Sequence, residues 1–513
     1  MLYYEGVPTS KTLAGKHTLY ACGAEKKPLP TATPAESGIG SDAVLAFLDS
    51  LEKSQVCLHS FQIIKDGALV SEGYFKPFAP NRLHRLYSCS KSFVSVAIGF
   101  LEAEGKLKLT DHIVDYFPDK LPEGGVHPFI AQTTIEDMLR MATPHAKTTY
   151  KQFKMEDWVK TFFLCEPSHL PGTVFSYDTS SSYTLSALVQ RLSGVPLMEY
   201  LRPRVFDKIG VSAEAYSLTC PMGIAHGGSG IMTTPRDFAK FALTCMQEGV
   251  YQGEQVIPRD YIKRATSKQI DNRTAGSRLD SIQGYGYQFW MLRNGAFGLL
   301  GMGGQIAVCM PKERLLVVTT ADVQSQPDGE QAIFNAIWDT LYPRVKNPSP
   351  LDAGKEEASY AELQKRIGSL SIEPVQGSLC LPEPAAKSNG KTFRMEKNPM
   401  GIQSLRFDFR GDSGKMTFSR QDGEHILTFG LGSWEQQQFP VYDYECIASG
   451  AWVQNRAGEE NLLVRCYIID EFLATMKICV VFKGDTVTIV MHKFAELFLQ
   501  EYEGFASGEI VQG

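Results

Sequence analysis

The sequence of 513 residues predicts an α+β domain, an antiparallel sheet flanked by helices with a helical subdomain, followed by an all-β barrel or sandwich domain. Three observations support this prediction. Strand hairpins are predicted near both ends of the first 342 residues, and helix patterns fill the segment between them. After residue 374, short β-branched and aromatic runs recur at short intervals, as in all-β domains. Residues 346–513 carry 17 lysines and arginines against 23 aspartates and glutamates, whereas residues 1–345 carry 34 of each.

Each element of the first domain has a local signal. The helices show apolar residues at three- and four-residue spacing, and the hairpins show β-branched runs on both sides of a turn. Asp66-Gly67 suits a type I′ hairpin turn, and Thr234-Pro235 suits a helix start. In chain order the predicted elements are a helix from Ser41 or Asp42 to Leu51, strands 61–65 and 68–74, a core helix 93–101 ended by Gly105, a helix from about Thr184 to Leu192, a helix after Thr234, strands 306–310 and 315–321, and a helix 328–341.

Composition changes place the domain boundaries. We expect an N-terminal extension over residues 1–30, the first domain over 31–342, a proline-rich linker with a charged helix over 343–370, and the β domain over 371–513. The predicted strands of the β domain are 393–396, 405–409, 415–419, 425–429, 462–469, 474–482 and 486–491.

Composition also excludes several classes of protein. Hydrophobic residues make up 43% and charged residues 21%, which excludes a disordered or fibrous chain. The net charge of −6 gives no indication of nucleic-acid binding, and no apolar run is long enough to span a bilayer. Met1 to Leu29 lacks the pattern of a signal peptide, and the eleven cysteines show no C-x-x-C pair, so we expect a cytoplasmic protein with reduced thiols. No nucleotide-binding or metal-binding motif occurs, so we expect no cofactor and no metal.

Residues 88–91, Ser-Cys-Ser-Lys, stand at the head of the predicted core helix. Residues three apart on a helix share a face, so Ser88 and Lys91 would lie side by side. A serine hydroxyl is a weak nucleophile until a base takes its proton, and a buried lysine whose pKa is lowered by desolvation can be that base. A second S-x-x-K pattern, at Ser388 and Lys391, leads into a predicted strand, where the two side chains would not share a face. The sequence therefore favours Ser88 as a nucleophile.

Two further segments accompany this pair. Residues 171–183 (PGTVFSYDTSSSY) precede the helix predicted from about Thr184, and residues 301–305 (GMGGQ) open the second strand hairpin. In order and spacing, the three segments resemble the motifs of the serine penicillin-recognising family: class C-type β-lactamases, D-alanyl-D-alanine peptidases, related esterases and 6-aminohexanoate-dimer hydrolases. Stretches 86–93, 227–237 and 284–290 resemble the esterase-like branch, and the whole resemblance covers roughly residues 30–345.

The resemblance implies a β-lactamase/transpeptidase-like fold and a set of roles. Ser88 would attack a carbonyl carbon, and Lys91 and Tyr177 would shuttle its proton to the leaving group in either order. The backbone N–H groups of Ser88 and Gly304 would form the oxyanion hole. An acyl-enzyme would form, and water would release the product. The implied partner is a small-molecule ester or amide substrate.

Two of the three motifs depart from the family pattern. Thr179 stands where the class C-type branch has the asparagine of Tyr-x-Asn, so the amide that contacts lysine and substrate is lost. Residues 301–303 (Gly301, Met302 and Gly303) stand where the family has Lys-Thr-Gly or His-x-Gly, so the cation that holds a substrate carboxylate is lost. Gly303 and Met302 remain candidate substrate-binding residues, although Met302 could equally pack under the strand. These departures favour an esterase or small-amide hydrolase over a β-lactamase or peptidase.

Other interpretations remain open. Cys89 could be the nucleophile, with His84 or His145 as its base. The segment 226–228 (His-Gly-Gly) is similar to a lipase oxyanion strand, but the G-x-S-x-G that would accompany it is absent, so we interpret it as a turn. Asp178 is expected to be solvated rather than catalytic. The whole protein could instead be a catalytically silent binding or sensor protein on the same fold, or a true β-lactamase or D-alanyl-D-alanine peptidase.

Overall fold

The computed structural model describes residues 19–274, 278–348, 350–442, 444–496 and 498–511. Residues 1–18, most of the expected N-terminal extension, lie outside the described residues. The chain divides into two compact units, Met1–Ser371 and Ile372–Gly513.

The first unit contains a six-stranded antiparallel sheet in the order β2-β1-β11-β10-β9-β8. Two smaller sheets, β3-β5-β4 and β6-β7, lie outside it. The strands are β1 (Leu58–Lys65), β2 (Ala68–Tyr74), β3 (His84–Arg85), β4 (Tyr216–Ser217), β5 (Ile231–Thr233), β6 (Val250–Tyr251), β7 (Glu254–Gln255), β8 (Trp290–Met291), β9 (Phe297–Gly301), β10 (Gln305–Met310) and β11 (Leu315–Ala321).

Helices precede, interrupt and follow the strands of this unit. They are α1 (Ser41–Lys53), α2 (Ser90–Ala103), α3 (Pro128–Ala131), α4 (Ile135–Leu139), α5 (Trp158–Leu164), α6 (Thr179–Ser193), α7 (Leu197–Leu201), α8 (Asp207–Ile209), α9 (Pro235–Met246), α10 (Arg259–Ala265), α11 (Gly329–Ala336), α12 (Tyr342–Lys346) and α13 (Ala353–Ser369).

Both faces of the six-stranded sheet are covered by helices. Successive strand residues point to opposite faces, so neighbours in β11 enter different cores. Val317 packs in one cluster with Phe47 of α1, and Val318 packs in another with Phe93 of α2 and Phe241 of α9. All residues of β11 are buried for this reason. The result confirms the predicted α+β fold class.

Local turn and cap signals decide where several elements begin and end. The first hairpin turns at Asp66 (φ 54°) and Gly67 (φ 83°), which is the type I′ geometry predicted for Asp-Gly. Thr234 caps α9 by accepting a hydrogen bond from Asp237 N. The prediction that a helix starts near Thr184 was wrong by five residues, because Asp178 caps α6 and the helix begins at Thr179.

The charged segment after the sheet packs within the first unit. The expected linker is already helical at its start, where α12 spans Tyr342–Lys346. Helix α13 lies against α1, with Leu363 buried and Arg366 paired with Asp49 and Glu52. Leu363, the half-buried Ile367 and these ion pairs hold the helix against the core of the first unit.

The second unit is a closed nine-stranded barrel, so the all-β prediction is confirmed in its barrel form. Neighbouring strands pair in the order β15-β14-β13-β12-β21-β20-β19-β18-β17, and a parallel pairing of β15 with β17 closes the ring. Strand β16 pairs with β17 over Glu435–Gln438 and is not part of the ring. A helix, α14 (Glu383–Ser388), precedes the strands β12 (Thr392–Met395), β13 (Ser404–Arg410), β14 (Ser413–Arg420), β15 (Gly423–Leu431), β16 (Glu435–Gln438), β17 (Glu445–Gln454), β18 (Glu460–Ile469), β19 (Leu473–Lys483), β20 (Thr486–Phe494) and β21 (Gly504–Ile510).

The sequence did not predict β16, β17 and β21. Strand β17 closes the barrel, yet it contains Ser449 and Gly450, which weaken a strand signal. At these two residues β17 pairs with Gly430 and Leu431. A Cβ at Gly450 would lie 2.8 Å from the Phe429 ring, so the missing side chain lets the two strands and that ring pack closely.

Candidate active site

Ser88 lies in a tight turn that leads into α2. Tyr87–Cys89 form one turn of 3₁₀ helix, and α2 follows at Ser90. Tyr87 is buried and has φ 47°, a left-handed conformation that costs a bulky residue on the order of 1 kcal/mol. The guanidinium carbon of Arg85 lies 4.3 Å from the centre of the Tyr87 ring and helps to hold it. This strained turn leaves the Ser88 side chain half-buried rather than enclosed.

Lys91 is buried one helical turn after Ser88. Its Nζ donates to Ser88 Oγ at 3.0 Å, to the Gly228 carbonyl oxygen at 2.7 Å and to Thr179 Oγ1 at 3.3 Å. The predicted proximity of Ser88 and Lys91 is therefore present in the structure. The two acceptors from distant segments hold the amine against the serine.

Tyr177 completes the group around Ser88. Its hydroxyl is hydrogen-bonded to the Ser88 side chain, and Lys91 Nζ lies 5.0 Å from the centre of its ring. Burial raises the pKa of Tyr177 above its ordinary value of 10. The phenol is therefore protonated at neutral pH and can donate or relay a proton, but it is a poor first acceptor.

Asp178 positions the second motif. The expectation that it is solvated was wrong, because its side chain is fully buried and caps α6. Its carboxylate accepts hydrogen bonds from Ser180 N at 2.8 Å, from Ser180 Oγ and from Thr143 Oγ1 at 3.4 Å. Burial nevertheless outweighs these bonds and the positive charge of Lys91, and raises the Asp178 pKa to about 6. The cap places Thr179 at the first helical position, facing Lys91.

The turn between β9 and β10 carries the third motif. A Cβ added to Gly301 would overlap the Leu86 carbonyl oxygen and would lie 3.2 Å from Cys89 Sγ, so this glycine lies directly against the segment that carries Ser88. A Cβ added to Gly304 would instead lie 3.0 Å from Ala321 Cβ and from Ile333 Cδ1. The predicted oxyanion role of the Gly304 N–H stays a prediction, since the direction of a Cβ does not fix the direction of an N–H. Both strands border the Tyr87–Cys89 turn, because Gly301 ends β9 and the carbonyl oxygen of Gln305, the first residue of β10, accepts a hydrogen bond from Cys89 Sγ at 3.1 Å.

Met302 and Gly303 form the tip of this turn. The Met302 carbonyl oxygen accepts a hydrogen bond from Gln305 Nε2 at 2.8 Å, and the Met302 side chain is half-buried. The Gly303 N–H donates to the Glu330 carboxylate. The turn is thus held from one side by Gln305 and from the other by Glu330.

A profile of the family described as Beta-lactamase matches residues 59–341, more than half of the chain. The chain belongs to the β-lactamase family. Among curated proteins it is similar to the 6-aminohexanoate-dimer hydrolase of Paenarthrobacter ureafaciens, with 23% identity over 248 residues. That match covers 45% of this chain and 63% of the relative, so the chain spans less than two thirds of the relative's length.

A solved structure shows the same fold. A Bacillus anthracis protein assigned as a 6-aminohexanoate-dimer hydrolase has 20% identity and a TM-score of 0.53, over 66% of this chain and 95% of that one. The D-amino acid amidase from Ochrobactrum anthropi SV3 has 16% identity and a TM-score of 0.46, over 60% of this chain and 99% of that one. The predicted resemblance to the serine β-lactamase-related family is confirmed.

Sequence reasoning missed one backbone contribution to the site of this β-lactamase-family chain. Residues 226–228 were interpreted as a turn only, yet the Gly228 carbonyl oxygen accepts a hydrogen bond from Lys91 Nζ at 2.7 Å. A Cβ at Gly228 would lie 2.6 Å from Thr179 Cγ2, so glycine is needed for this approach. The signal in the sequence was the Gly-Gly pair, which marks a place where backbone comes close to another segment.

Aromatic side chains beside Tyr177 were also not assigned a role. The Phe175 and Trp290 rings lie 6.3 and 5.3 Å from the Tyr177 ring, centre to centre, and the buried Tyr285 ring lies 6.4 Å from it. Phe175 and Trp290 are half-buried, so they offer apolar surface next to the catalytic candidates. The aromatic residues of stretch 284–290 were the available signal.

The structure does not bring together the alternative nucleophile and its bases. The Cys89 thiol is buried and donates to the Gln305 carbonyl oxygen at 3.1 Å, and burial raises its pKa well above 9. Both ring nitrogens of His84 are bonded elsewhere, to His59 Nδ1 and to the Arg85 carbonyl oxygen. His145 is buried against the Phe162 ring. A buried thiol with a raised pKa is a poor nucleophile in this member of the family.

Two searches of the described residues concern other site types. Among these residues, no three His, Cys, Asp or Glu side chains are grouped so that they could hold a metal ion. Within the same part of the chain, every helix is too short or too polar to cross a membrane.

Proposed function

We propose that this chain is a serine hydrolase that cleaves a small ester or amide through an acyl-enzyme. The observation that carries the proposal is the joint position of three groups: the half-buried Ser88 hydroxyl, Lys91 Nζ at 3.0 Å from it, and the Tyr177 hydroxyl bonded to it. A nucleophile within hydrogen-bond reach of a base, which other groups orient, is the arrangement that activates a serine.

In the acylation step, Ser88 Oγ forms a bond to the substrate carbonyl carbon. Its proton passes to the neutral form of Lys91, because the raised pKa of Tyr177 leaves the phenol protonated. Collapse of the tetrahedral intermediate breaks the bond to the leaving group, which takes a proton through Tyr177. Deacylation repeats the sequence with water as the nucleophile, and Ser88 regains its proton.

We assign the oxyanion hole from the positions of Ser88 and of the β9–β10 turn. The Ser88 N–H is one donor, since α2 begins immediately after it. For the second donor we keep the Gly304 N–H that the family resemblance implies, since Gly304 directly precedes Gln305, whose carbonyl oxygen accepts a hydrogen bond from Cys89 Sγ at 3.1 Å. Preorganised backbone donors of this type stabilise the negative charge that develops on the carbonyl oxygen.

Substrate class follows from what the site lacks and from the named relative. Gly301 carries no cation to hold a carboxylate, and Thr179 offers a hydroxyl in place of an amide. The curated relative is named for hydrolysis of a 6-aminohexanoate dimer. We therefore propose esters and small amides as substrates, ahead of penicillins and D-Ala-D-Ala peptides.

A fluorophosphonate probe tests the nucleophile directly. The wild-type chain should be labelled, Ser88→Ala should abolish labelling, and Cys89→Ala, the matched change at the adjacent thiol, should leave labelling intact. Labelling that survives Ser88→Ala would refute the assignment.

The substrates that the chain turns over then distinguish an esterase or amidase from a β-lactamase and from a silent binding protein. A panel of p-nitrophenyl esters, D-amino-acid amides and nitrocefin should show Ser88-dependent hydrolysis of esters or amides. Ser88-dependent turnover confined to nitrocefin would indicate a true β-lactamase, and no Ser88-dependent turnover of any substrate would indicate a silent binding or sensor protein.

A further inference from the structure

Gln288 is a buried residue with an unusual backbone conformation. It lies two residues before Trp290, where β8 begins, and it has φ 64°. A residue with a Cβ seldom adopts this left-handed conformation, because the Cβ crowds the backbone, whereas glycine adopts it freely. Strain of this kind persists where the surrounding contacts require it. The contacts of Gln288 therefore indicate what the strained conformation is for.

The hydrogen bonds of Gln288 use every polar atom of the residue. Its Nε2 donates to the carbonyl oxygens of Leu139 at 2.8 Å and Met138 at 3.1 Å, at the end of α4. Its Oε1 accepts a hydrogen bond from Ser182 Oγ on α6. The backbone N–H donates to the Leu139 carbonyl oxygen at 3.0 Å, and the backbone carbonyl oxygen accepts from Ser92 Oγ on α2 at 2.7 Å. One residue thus joins three helices.

Two of these helices carry catalytic candidates close to the points that Gln288 contacts. Ser92 directly follows Lys91 on α2. Ser182 lies three residues after Thr179 on α6, and Thr179 Oγ1 accepts the 3.3 Å hydrogen bond from Lys91 Nζ. Gln288 therefore bonds to each helix within one turn of a residue that takes part in this hydrogen bond. The separation of α2 and α6 at this level decides whether the amine and the hydroxyl can meet.

The contact with α4 supports the segment that enters α6. Two residues after the end of α4, Met141 Sδ accepts a hydrogen bond from the Asp178 N–H at 3.5 Å. Asp178 caps α6 and directly follows Tyr177 in the chain. By holding the end of α4, Gln288 also supports the segment on which the Tyr177 hydroxyl depends for its position.

We propose that Gln288 is a positioning residue, which holds α2 and α6 at the separation that keeps Lys91 Nζ against Ser88 Oγ. The inference rests on the proposed hydrolase function and adds a residue that acts on the reaction through Lys91. Glycine would adopt the same backbone conformation without strain, so what glutamine adds is its side-chain amide. A displacement of a catalytic group by about 1 Å can lower a rate about 100-fold, so small movements of the two helices affect the reaction.

Gln288→Gly tests the amide without opposing the backbone conformation. A fluorophosphonate gives two values: the final labelled fraction, which reports how many chains have a folded site, and the rate constant of labelling, which reports the reactivity of Ser88. The rate constant should fall about tenfold, because several hydrogen bonds that orient the lysine helix are lost. The matched control is Gln252→Gly in the β6–β7 turn, since Gln252 is exposed, has φ 48° and donates to the Pro28 carbonyl oxygen at 3.0 Å. It should keep the wild-type rate constant.

Single-turnover acylation by a p-nitrophenyl ester distinguishes positioning from substrate binding. For Gln288→Gly the limiting rate constant should show the same loss, and the half-saturating concentration should stay within about twofold, because the residue acts on Lys91. Ser182→Ala removes only the hydrogen bond from α6 and should slow labelling about fivefold. Adding Ser182→Ala to Gln288→Gly should cause no further loss, because both changes remove the same contact.

The outcomes separate the inference from the function on which it rests. A Gln288→Gly rate constant within about threefold of the wild type would overturn the proposal, even if the labelled fraction falls, since the residue would then only stabilise the fold. If Gln288→Gly does not fold, Ser182→Ala decides, and a wild-type rate constant for that variant overturns the proposal. Both results leave the hydrolase proposal in place, whereas absence of Ser88-dependent labelling in the wild type refutes both.

Discussion

The buried cap of α6 predicts a specific pH dependence of stability. Asp178 has a pKa raised to about 6 in the folded chain against an ordinary value of 3.8. Exchanging it for asparagine removes the ionisation but keeps a side-chain oxygen that can accept the hydrogen bond from Ser180 N. The variant therefore isolates the cost of burying one negative charge.

The sign and size of the effect follow from the pKa difference. Because the folded pKa lies above the unfolded pKa, the folded chain holds this proton more tightly, and the stability it contributes is present below about pH 4 and is lost as the pH rises through about 6. A difference of about two pKa units, at about 1.4 kcal/mol each, corresponds to about 3 kcal/mol. The free energy of unfolding of Asp178→Asn, minus that of the wild type, should therefore increase by about 3 kcal/mol between pH 4 and pH 7.

Urea unfolding at several pH values, followed by pulsed hydrogen exchange of peptides from α6, measures this difference in the unit that contains the substitution. The matched control is Asp352→Asn, at the cap of α13, where the side chain is exposed and no buried charge is removed. Groups common to both chains cancel in the difference. A difference that is flat with pH, or that decreases as pH rises, would refute the reasoning that burial dominates the Asp178 environment.

Two further predictions concern activity. Gly301→Ala should lower kcat/KM for the best ester at least 100-fold, because the new Cβ overlaps the Leu86 carbonyl oxygen and displaces β9 from the turn that carries Ser88. The control is Gly368→Ala in α13, where a new Cβ would have no atom within 4 Å. Equal activity of the two variants would contradict the packing assigned to Gly301. Thr179→Val should lower kcat about five- to tenfold, because the 3.3 Å hydrogen bond from Lys91 Nζ is lost while the side-chain shape is kept. Thr179→Ser, which keeps the hydroxyl, should retain most of the wild-type activity. A valine variant as active as the wild type would show that this bond does not orient the lysine.

Local sequence patterns predicted those parts of the site in which near neighbours decide the geometry. Ser88 and Lys91 are three residues apart at the start of a helix, so their contact requires only helical geometry. The type I′ turn at Asp66-Gly67 and the cap at Thr234 are similarly local. The start of α6 was predicted wrongly, because Asp178, whose side chain caps the helix, was expected to be solvated.

The sequence by itself determined the fold class, the separate β domain and the contact of Ser88 with Lys91, because periodicity, turn chemistry and short spacings act within a few residues. Tertiary structure alone decided which distant groups complete the site. The Gly228 carbonyl lies 137 residues from Lys91, and Glu330 lies beyond the β9–β10 hairpin from Gly303. It also placed Gly301, at the end of β9, against the segment that carries Ser88. Such contacts depend on how both faces of the sheet bury their apolar side chains, and no pattern within one segment records that arrangement.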